Sequence, residues 1–278
     1  PVPAPRQSPH FIPSCQPVVP LWRSRLKPMQ WGDGDCLGLP CRSGAGKAGP
    51  VIDPRLTDAI LARIPPARPG RMVVLGICGA QGSGKTTLVA ALAERLAGAG
   101  RRVASLSLDD LYLTRAERKR LAREVHPLFA TRGVPGTHDV PQGLGTIAAL
   151  ERGEPAPLPR FDKSRDDRAP KADWPLAPAG TEVLLLEGWC LGARPQTDVT
   201  RPINALEAAE DPDGIWRAYA NAALAGDYQR LFARIDSLVL LAALGWEVVA
   251  NWREQQEAEL RKKGGPQVMD ADQVARFI

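Results

Sequence analysis

The sequence predicts an α/β fold, a parallel sheet with helices on both faces and a truncated C-terminal part. Three observations predict it. Short apolar runs at Met72–Cys78, Val103–Leu108, Val183–Leu186 and Leu238–Leu241 read as buried parallel strands. Between them lie stretches with apolar residues at helical spacing. A glycine-rich loop, Gly79–Gly84, joins the first run to an Ala- and Leu-rich helix over Lys85–Ala97, which Gly98 and Gly100 close.

The other elements follow in order. Leu56, Ile60, Leu61 and Ile64 give a helix over Asp53–Ile64, stopped by Pro65 and Pro66. Further helices are expected over Arg115–Glu124, Leu144–Glu151, Gly214–Arg234 and Glu247–Lys263, and 270–278 reads as the start of another. Residues 1–50 are rich in proline, arginine and glycine and show no period, so they are expected to be disordered or poorly ordered. Their Ser43–Lys47 stretch looks like a phosphate loop but lacks a preceding strand and has Ala48 where Ser or Thr is needed. A single domain is therefore expected over 51–278. The chain starts with Pro1, so its true N-terminus is expected to lie upstream.

Composition narrows the function classes. With 278 residues, 44% of them hydrophobic, the chain can bury a large core. The net charge of +5 is diffuse and concentrated near the front, without a basic stripe or interleaved aromatics, so no nucleic-acid partner is expected. No apolar run approaches the roughly 20 residues that span a bilayer, and no membrane association is expected. Five irregularly spaced cysteines without a CxxC pair indicate neither a zinc site nor a disulfide framework, and a cytoplasmic location is expected.

Gly79-Ala-Gln-Gly-Ser-Gly-Lys85-Thr86 fits the P-loop pattern G-x-x-x-x-G-K-[ST] at each fixed position, with a strand before it and a helix after. Gly79, Gln81, Gly82, Ser83, Gly84, Lys85, Thr86 and Thr87 are the candidate ATP-binding residues. The glycines bring backbone N–H groups to phosphate oxygens, Lys85 reaches the β and γ phosphates, and the Thr86 hydroxyl ligates Mg²⁺. No N-K-x-D guanine reader and no L-S-G-G-Q signature occur, which argues against a GTPase and a transporter ATPase.

Asp109 and Asp110 follow the second strand, and Glu187 ends the third. At the carboxyl ends of parallel strands such groups take a proton from an acceptor hydroxyl or help hold Mg²⁺. The competing readings are a helix cap for the aspartates and a turn residue for Glu187. Thr86, Asp109 and Glu187 are the candidate metal set. Thr131–Asp139 gathers turn formers around Arg132, His138 and Asp139, with a turn-stabilising role the alternative for His138. Pro159–Arg168 carries Arg160, Asp162, Arg165 and Arg168, and is either part of the acceptor site or a solvated loop.

Together these stretches resemble the D-glycerate 3-kinase branch of the uridine kinase and phosphoribulokinase group. The resemblance rests on the phosphate loop, Leu108–Thr114, Arg132–Asp139, Pro159–Ser164, Glu187-Gly-Trp189, Ile203-Asn-Ala-Leu-Glu207 and Trp252-Arg253, and runs from about residue 55 to the C-terminus. It implies ATP- and Mg²⁺-dependent phosphorylation of the 3-hydroxyl of a small hydroxyacid, D-glycerate. Asp109 would be the base, with Lys85 and Glu187 as the other catalytic groups. Tyr112 would line the acceptor pocket with Asp110, His138, Asp139 and Asp162, and Arg132, Arg160, Arg165 and Arg168 are the candidate carboxylate binders. The helix bearing Arg253 and Arg261 is expected either to close over the phosphates or to be an ordinary amphipathic helix with a cationic end. The family pattern continues past Ile278 with another helix and strand, hence the expected truncation.

Overall fold

The computed structural model describes residues 52–66, 70–243, 245, 248, 249 and 252. The expected disordered segment 1–50, all but three residues of the expected Glu247–Lys263 helix with the lid candidates Arg253 and Arg261, and the helix start at 270–278 lie outside the described residues.

Helix α1 (Pro54–Leu61) begins where the Asp53 side chain accepts the Arg55 amide hydrogen, and Pro54 fits its first turn. Strand β1 (Val73–Gly79) is buried at every position because helices cover both of its faces. Helix α2 (Lys85–Gly98) follows the phosphate loop and buries Leu88, Val89, Leu92 and Leu96. Strand β2 (Val103–Ser107) leads into a 3-10 turn, Leu108–Leu111, and then α3 (Arg115–Glu124). Thr114 and Glu117 cap α3 reciprocally.

Helix α4 (Val140–Glu151) starts four residues before the expected Leu144, because Asp139 caps it and Pro141 suits its first turn. Short antiparallel pieces follow: β3 (Ala156–Pro157) with β6 (Leu176–Ala177), and β4 (Phe161–Asp162) with β5 (Asp167–Arg168). Strand β7 (Val183–Gly188) returns to the main sheet. Helices α5 (Ala205–Glu210), α6 (Ile215–Ala223) and α7 (Gln229–Phe232) precede strand β8 (Ser237–Leu241).

The sheet is parallel in the order β2-β7-β1-β8. Alternate side chains of β1 and β7 feed two cores. Val74, Cys78, Leu184 and Leu186 face α4 and α7, with Ile147, Leu150 and Leu231. Leu75, Ile77, Val183 and Leu185 face α1 and α2, with Ile60, Leu88 and Leu92. The period-2 alternation of a strand therefore gives helices on both faces.

A second element differs from expectation. Gly214–Arg234 is not a single helix: α6 ends at Ala223, and a π-type segment, Leu224–Tyr228, separates it from α7. Gly226 has φ −90° and ψ −118°, outside helical geometry. The break lets buried Tyr228 reach back to the Gly136–His138 loop, a tertiary demand that overrides helical periodicity. Among the described residues no helix is long and apolar enough to cross a membrane.

Candidate active site

The loop between β1 and α2 is shaped by its glycines. Gly82 and Gly84 have φ of 75° and 84°, in the left-handed region that side chains disfavour. A Cβ at Gly82 would sit 2.5 Å from Trp252 Cβ, so Trp252 packs directly over the loop. Helix α2 has no side-chain cap, which leaves its first amide hydrogens for an anion. The Ser83 hydroxyl is buried with no hydrogen-bond partner among the described residues. A buried orphan beside uncapped amides is the chemistry of a phosphate cradle.

Lys85 Nζ donates to the Ala80 carbonyl at 2.9 Å. Burial pushes its ammonium pKa down, and the nearby Glu187 and Asp109 carboxylates oppose that shift. The Thr86 hydroxyl donates to Glu187 Oε1 at 3.1 Å. Ser107 pairs in register with Glu187, so Asp109 follows two residues beyond that level on the adjacent strand. Gly188 makes this approach possible, because a Cβ there would meet Leu108 Cβ at 2.8 Å. No group of three or more His, Cys, Asp and Glu among the described residues could hold a metal by itself. The threonine hydroxyl and carboxylates are hard oxygen donors, and they suit Mg²⁺, which keeps waters and phosphate oxygens as most of its ligands.

Asp109 is engaged on both oxygens. Tyr112 donates its hydroxyl to Oδ1 at 3.1 Å, and Lys163 Nζ donates to Oδ2 at 2.7 Å. Burial alone would raise the Asp109 pKa; Lys163 and the Tyr112 hydroxyl outweigh it and hold the carboxyl below its usual value. Asp110 is turned elsewhere: it accepts the Phe161 amide hydrogen at 3.1 Å and pairs with Arg160 at 3.2 Å, anchoring β4. Burial raises its pKa.

Tyr112 is buried and stacks on His138 with ring centroids 4.4 Å apart. The Tyr228 hydroxyl accepts the Gly136 amide hydrogen at 3.0 Å and lies 2.5 Å from His138 Nδ1. His138 Nδ1 thus shares a hydrogen bond with the Tyr228 hydroxyl, and its Nε2 is buried without a partner among the described residues. Burial pushes the His138 pKa down to about 3, so the ring is neutral.

The remaining candidates divide into framework and surface. Asp139 accepts the Gln142 amide hydrogen as the α4 cap and pairs with Arg168 at 3.1 Å. Arg168 also donates to the Tyr112 carbonyl at 3.2 Å. Asp162 accepts from Ser164 and the Arg165 amide and closes the β4–β5 turn. Arg132 pairs with Asp166 and lies over the Phe161 ring at 5.5 Å. Arg165 is exposed. The structure thus brings Lys85, Thr86, Glu187, Asp109 and Tyr112 to one end of the sheet, while Asp110, His138, Asp139 and Asp162 serve as anchors and caps around them.

Several contacts were not legible in the sequence. Lys163 was one charge in a dense run, and its partner lies 54 positions away. Fully buried Arg118 holds Asp166 and the Leu113 carbonyl, although a charged position on α3 reads as a surface one. Asp166 has φ 52°, the one positive value among described non-glycine residues. Trp189 Nε1 donates to the Gly133 carbonyl at 3.1 Å and ties the Arg132 loop to the end of β7. In the stretch Ile203–Glu207, Asn204 accepts the Glu207 amide hydrogen and Glu207 accepts that of Ile203, so this marker stretch is a helix cap.

Comparisons with known proteins found relatives by sequence and by structure. The profile of the methylmalonyl Co-A mutase-associated GTPase MeaB family matches residues 53–112, from α1 through the phosphate loop to the Asp109 turn. The chain is 37% identical over 225 residues to the uncharacterized kinase mug58 of Schizosaccharomyces pombe, covering 77% of this chain and 79% of that one. It is 33% identical over 220 residues to the chloroplastic D-glycerate 3-kinase of Arabidopsis thaliana, covering 74% of this chain. It spans only 46% of that plant protein's length. Among solved structures, D-glycerate 3-kinase from Cryptococcus neoformans var. grubii aligns with a TM-score of 0.60 at 28% identity, covering 80% of this chain and 82% of that one. The YGR205w protein aligns with a TM-score of 0.59 at 28% identity, over 74% and 75% of the two chains.

Proposed function

The chain belongs to the family of P-loop kinases that includes D-glycerate 3-kinase, and on that premise we propose that it transfers the γ-phosphoryl group of ATP to the 3-hydroxyl of D-glycerate. The observation that carries the reading is the single cluster formed by the Lys85 loop, the Thr86–Glu187 contact and Asp109 beside the cation-rich β4–β5 hairpin. The match to a GTPase family ends at Tyr112, short of Glu187, and the sequence has no N-K-x-D guanine reader.

In this reading the loop amides, Ser83 and Lys85 bind the phosphates. Thr86, with Glu187 and Asp109 nearby, would hold Mg²⁺, which would supply charge neutralisation on the phosphate oxygens when bound. Lys85 compensates charge that grows on the transferring group. The acceptor oxygen bonds to the γ phosphorus as the bridging P–O bond of ATP breaks; ADP leaves and the hydroxyl proton passes to Asp109. Tyr112 orients that carboxylate through its Oδ1 contact. Arg132, Arg160, Arg165 and Arg168 remain the arginines offered to the acceptor carboxylate, with Asp110, His138, Asp139 and Asp162 shaping the loops that carry them. A cytoplasmic setting and a small-molecule partner belong to the same proposal.

The test is ADP release from MgATP with and without D-glycerate, with the product position assigned by NMR. Release that depends on D-glycerate and yields the 3-phosphate supports the reading. Release that depends instead on a nucleoside, pantothenate or a sugar phosphate would replace the acceptor and keep the kinase.

A further inference from the structure

Lys163 is 61% exposed, and its ammonium makes its ion pair with Asp109 at 2.7 Å. It rises from a turn whose base is fixed. Phe161 is tied by its amide to Asp110, Asp166 is gripped by Arg118 and Arg132, and Asp167 accepts the Arg115 amide hydrogen at 3.1 Å. Most other cations of these loops pair with framework carboxylates, Arg118 and Arg132 with Asp166, Arg160 with Asp110 and Arg168 with Asp139, while Arg165 is exposed. Lys163 differs from them because its partner is the candidate base itself. With the Tyr112 phenol on Oδ1 and the ammonium on Oδ2, both oxygens of Asp109 are engaged, and the adjacent positive charge makes the carboxylate a weaker base toward the proton of an attacking hydroxyl or water.

We propose that Lys163 is an acceptor-sensing latch: it occupies Asp109 until the carboxylate of a small hydroxyacid draws the ammonium away and frees the base. This rests on the kinase reading above. An exposed lysine pair is weak and the four-carbon stem is flexible, so a competing carboxylate exchanges with Asp109 readily. A neutral water offers no such exchange. The latch therefore disfavours the futile reaction, in which a water oxygen bonds to the γ phosphorus, the bridging P–O bond breaks, and ADP, phosphate and a proton are released. Coupling base release to acceptor binding is specificity through induced fit.

The experiment compares the full chain with Lys163→Met and Lys163→Arg. ADP release is measured from MgATP alone and across a D-glycerate titration, with melting temperature as the check on folding. Lys163→Met is expected to raise release from MgATP alone about fivefold or more. It is also expected to raise KM for D-glycerate about tenfold or more. Lys163→Arg is expected to return both toward the parent. Release from MgATP alone that is unchanged or lower in Lys163→Met overturns the latch, and an unchanged KM overturns the hand-over to the acceptor. If the parent chain itself ignores D-glycerate, the acceptor assignment fails, and the MgATP arm alone still decides the latch.

Discussion

Lys85 and His138 show how burial acts on single groups with opposite consequences for function. Burial lowers the Lys85 pKa, and the nearby Glu187 and Asp109 carboxylates oppose that shift by favouring the ammonium cation at the phosphate loop. Lys85→Ala removes that cation and is expected to lower transfer by at least about 10²–10³-fold, with the melting temperature preserved. A fully active variant in the ADP-release assay would exclude the proposed mechanism. His138 has no compensating partner strong enough to keep a proton, and its pKa falls from 6.5 to about 3. The unfolded chain then binds that proton more tightly than the folded one. The resulting stability is fully present above pH 6.5 and drains away as pH falls toward 3. Between pH 7 and 5 this single group removes about 2 kcal/mol, measurable by urea unfolding. His138→Gln should flatten that part of the pH profile.

At the scale of elements, the end of β7 and the turn after β2 decide the geometry of the site. Glu187 and Asp109 sit on adjacent strand ends, and the missing side chain at Gly188 lets Leu108 pack against the backbone there. Gly188→Ala forces a contact of 2.8 Å onto a rigid Cβ. The expected cost is about 1–3 kcal/mol of stability. Because the displaced turn carries Asp109, kcat should fall while KM for ATP, set by the β1–α2 loop, stays the same. A drop in ATP affinity with kcat retained would show that the turn is not the element displaced. The β4–β5 hairpin is held differently, by ion pairs around fully buried Arg118 together with the buried Phe161 ring that packs against Tyr112.

Across the whole molecule, β1 and β7 each contribute alternate side chains to two cores, so the faces cannot unfold independently. Leu92 belongs to the α1–α2 side and Ile147 to the α4–α7 side, and both are fully buried. Leu92→Ala and Ile147→Ala are each expected to cost about 2–5 kcal/mol. Denaturant unfolding followed by tryptophan fluorescence and by circular dichroism should remain one coincident transition in both variants. Separate transitions would mean that the sheet does not couple its two sides.

The sequence by itself determined the parallel α/β architecture, the strand positions and the phosphate loop. These are local signals: apolar runs, helical periodicity, and a glycine spacing whose backbone conformation is fixed by residue type. It also pointed to Asp109 and Glu187, because acids just after apolar strands fall at the ligand-binding edge of such a sheet. What only the tertiary structure decided is the use of each charge around them. Asp139 also caps α4 and Asp162 also closes a turn, and Lys163, one charge among many in sequence, lies on Asp109. The break at Gly226 that sends Tyr228 to His138 was likewise hidden behind a helical pattern. The physical reason is shared: partners 54 or 90 positions apart meet through packing of the whole chain, and local pattern carries no information about that meeting.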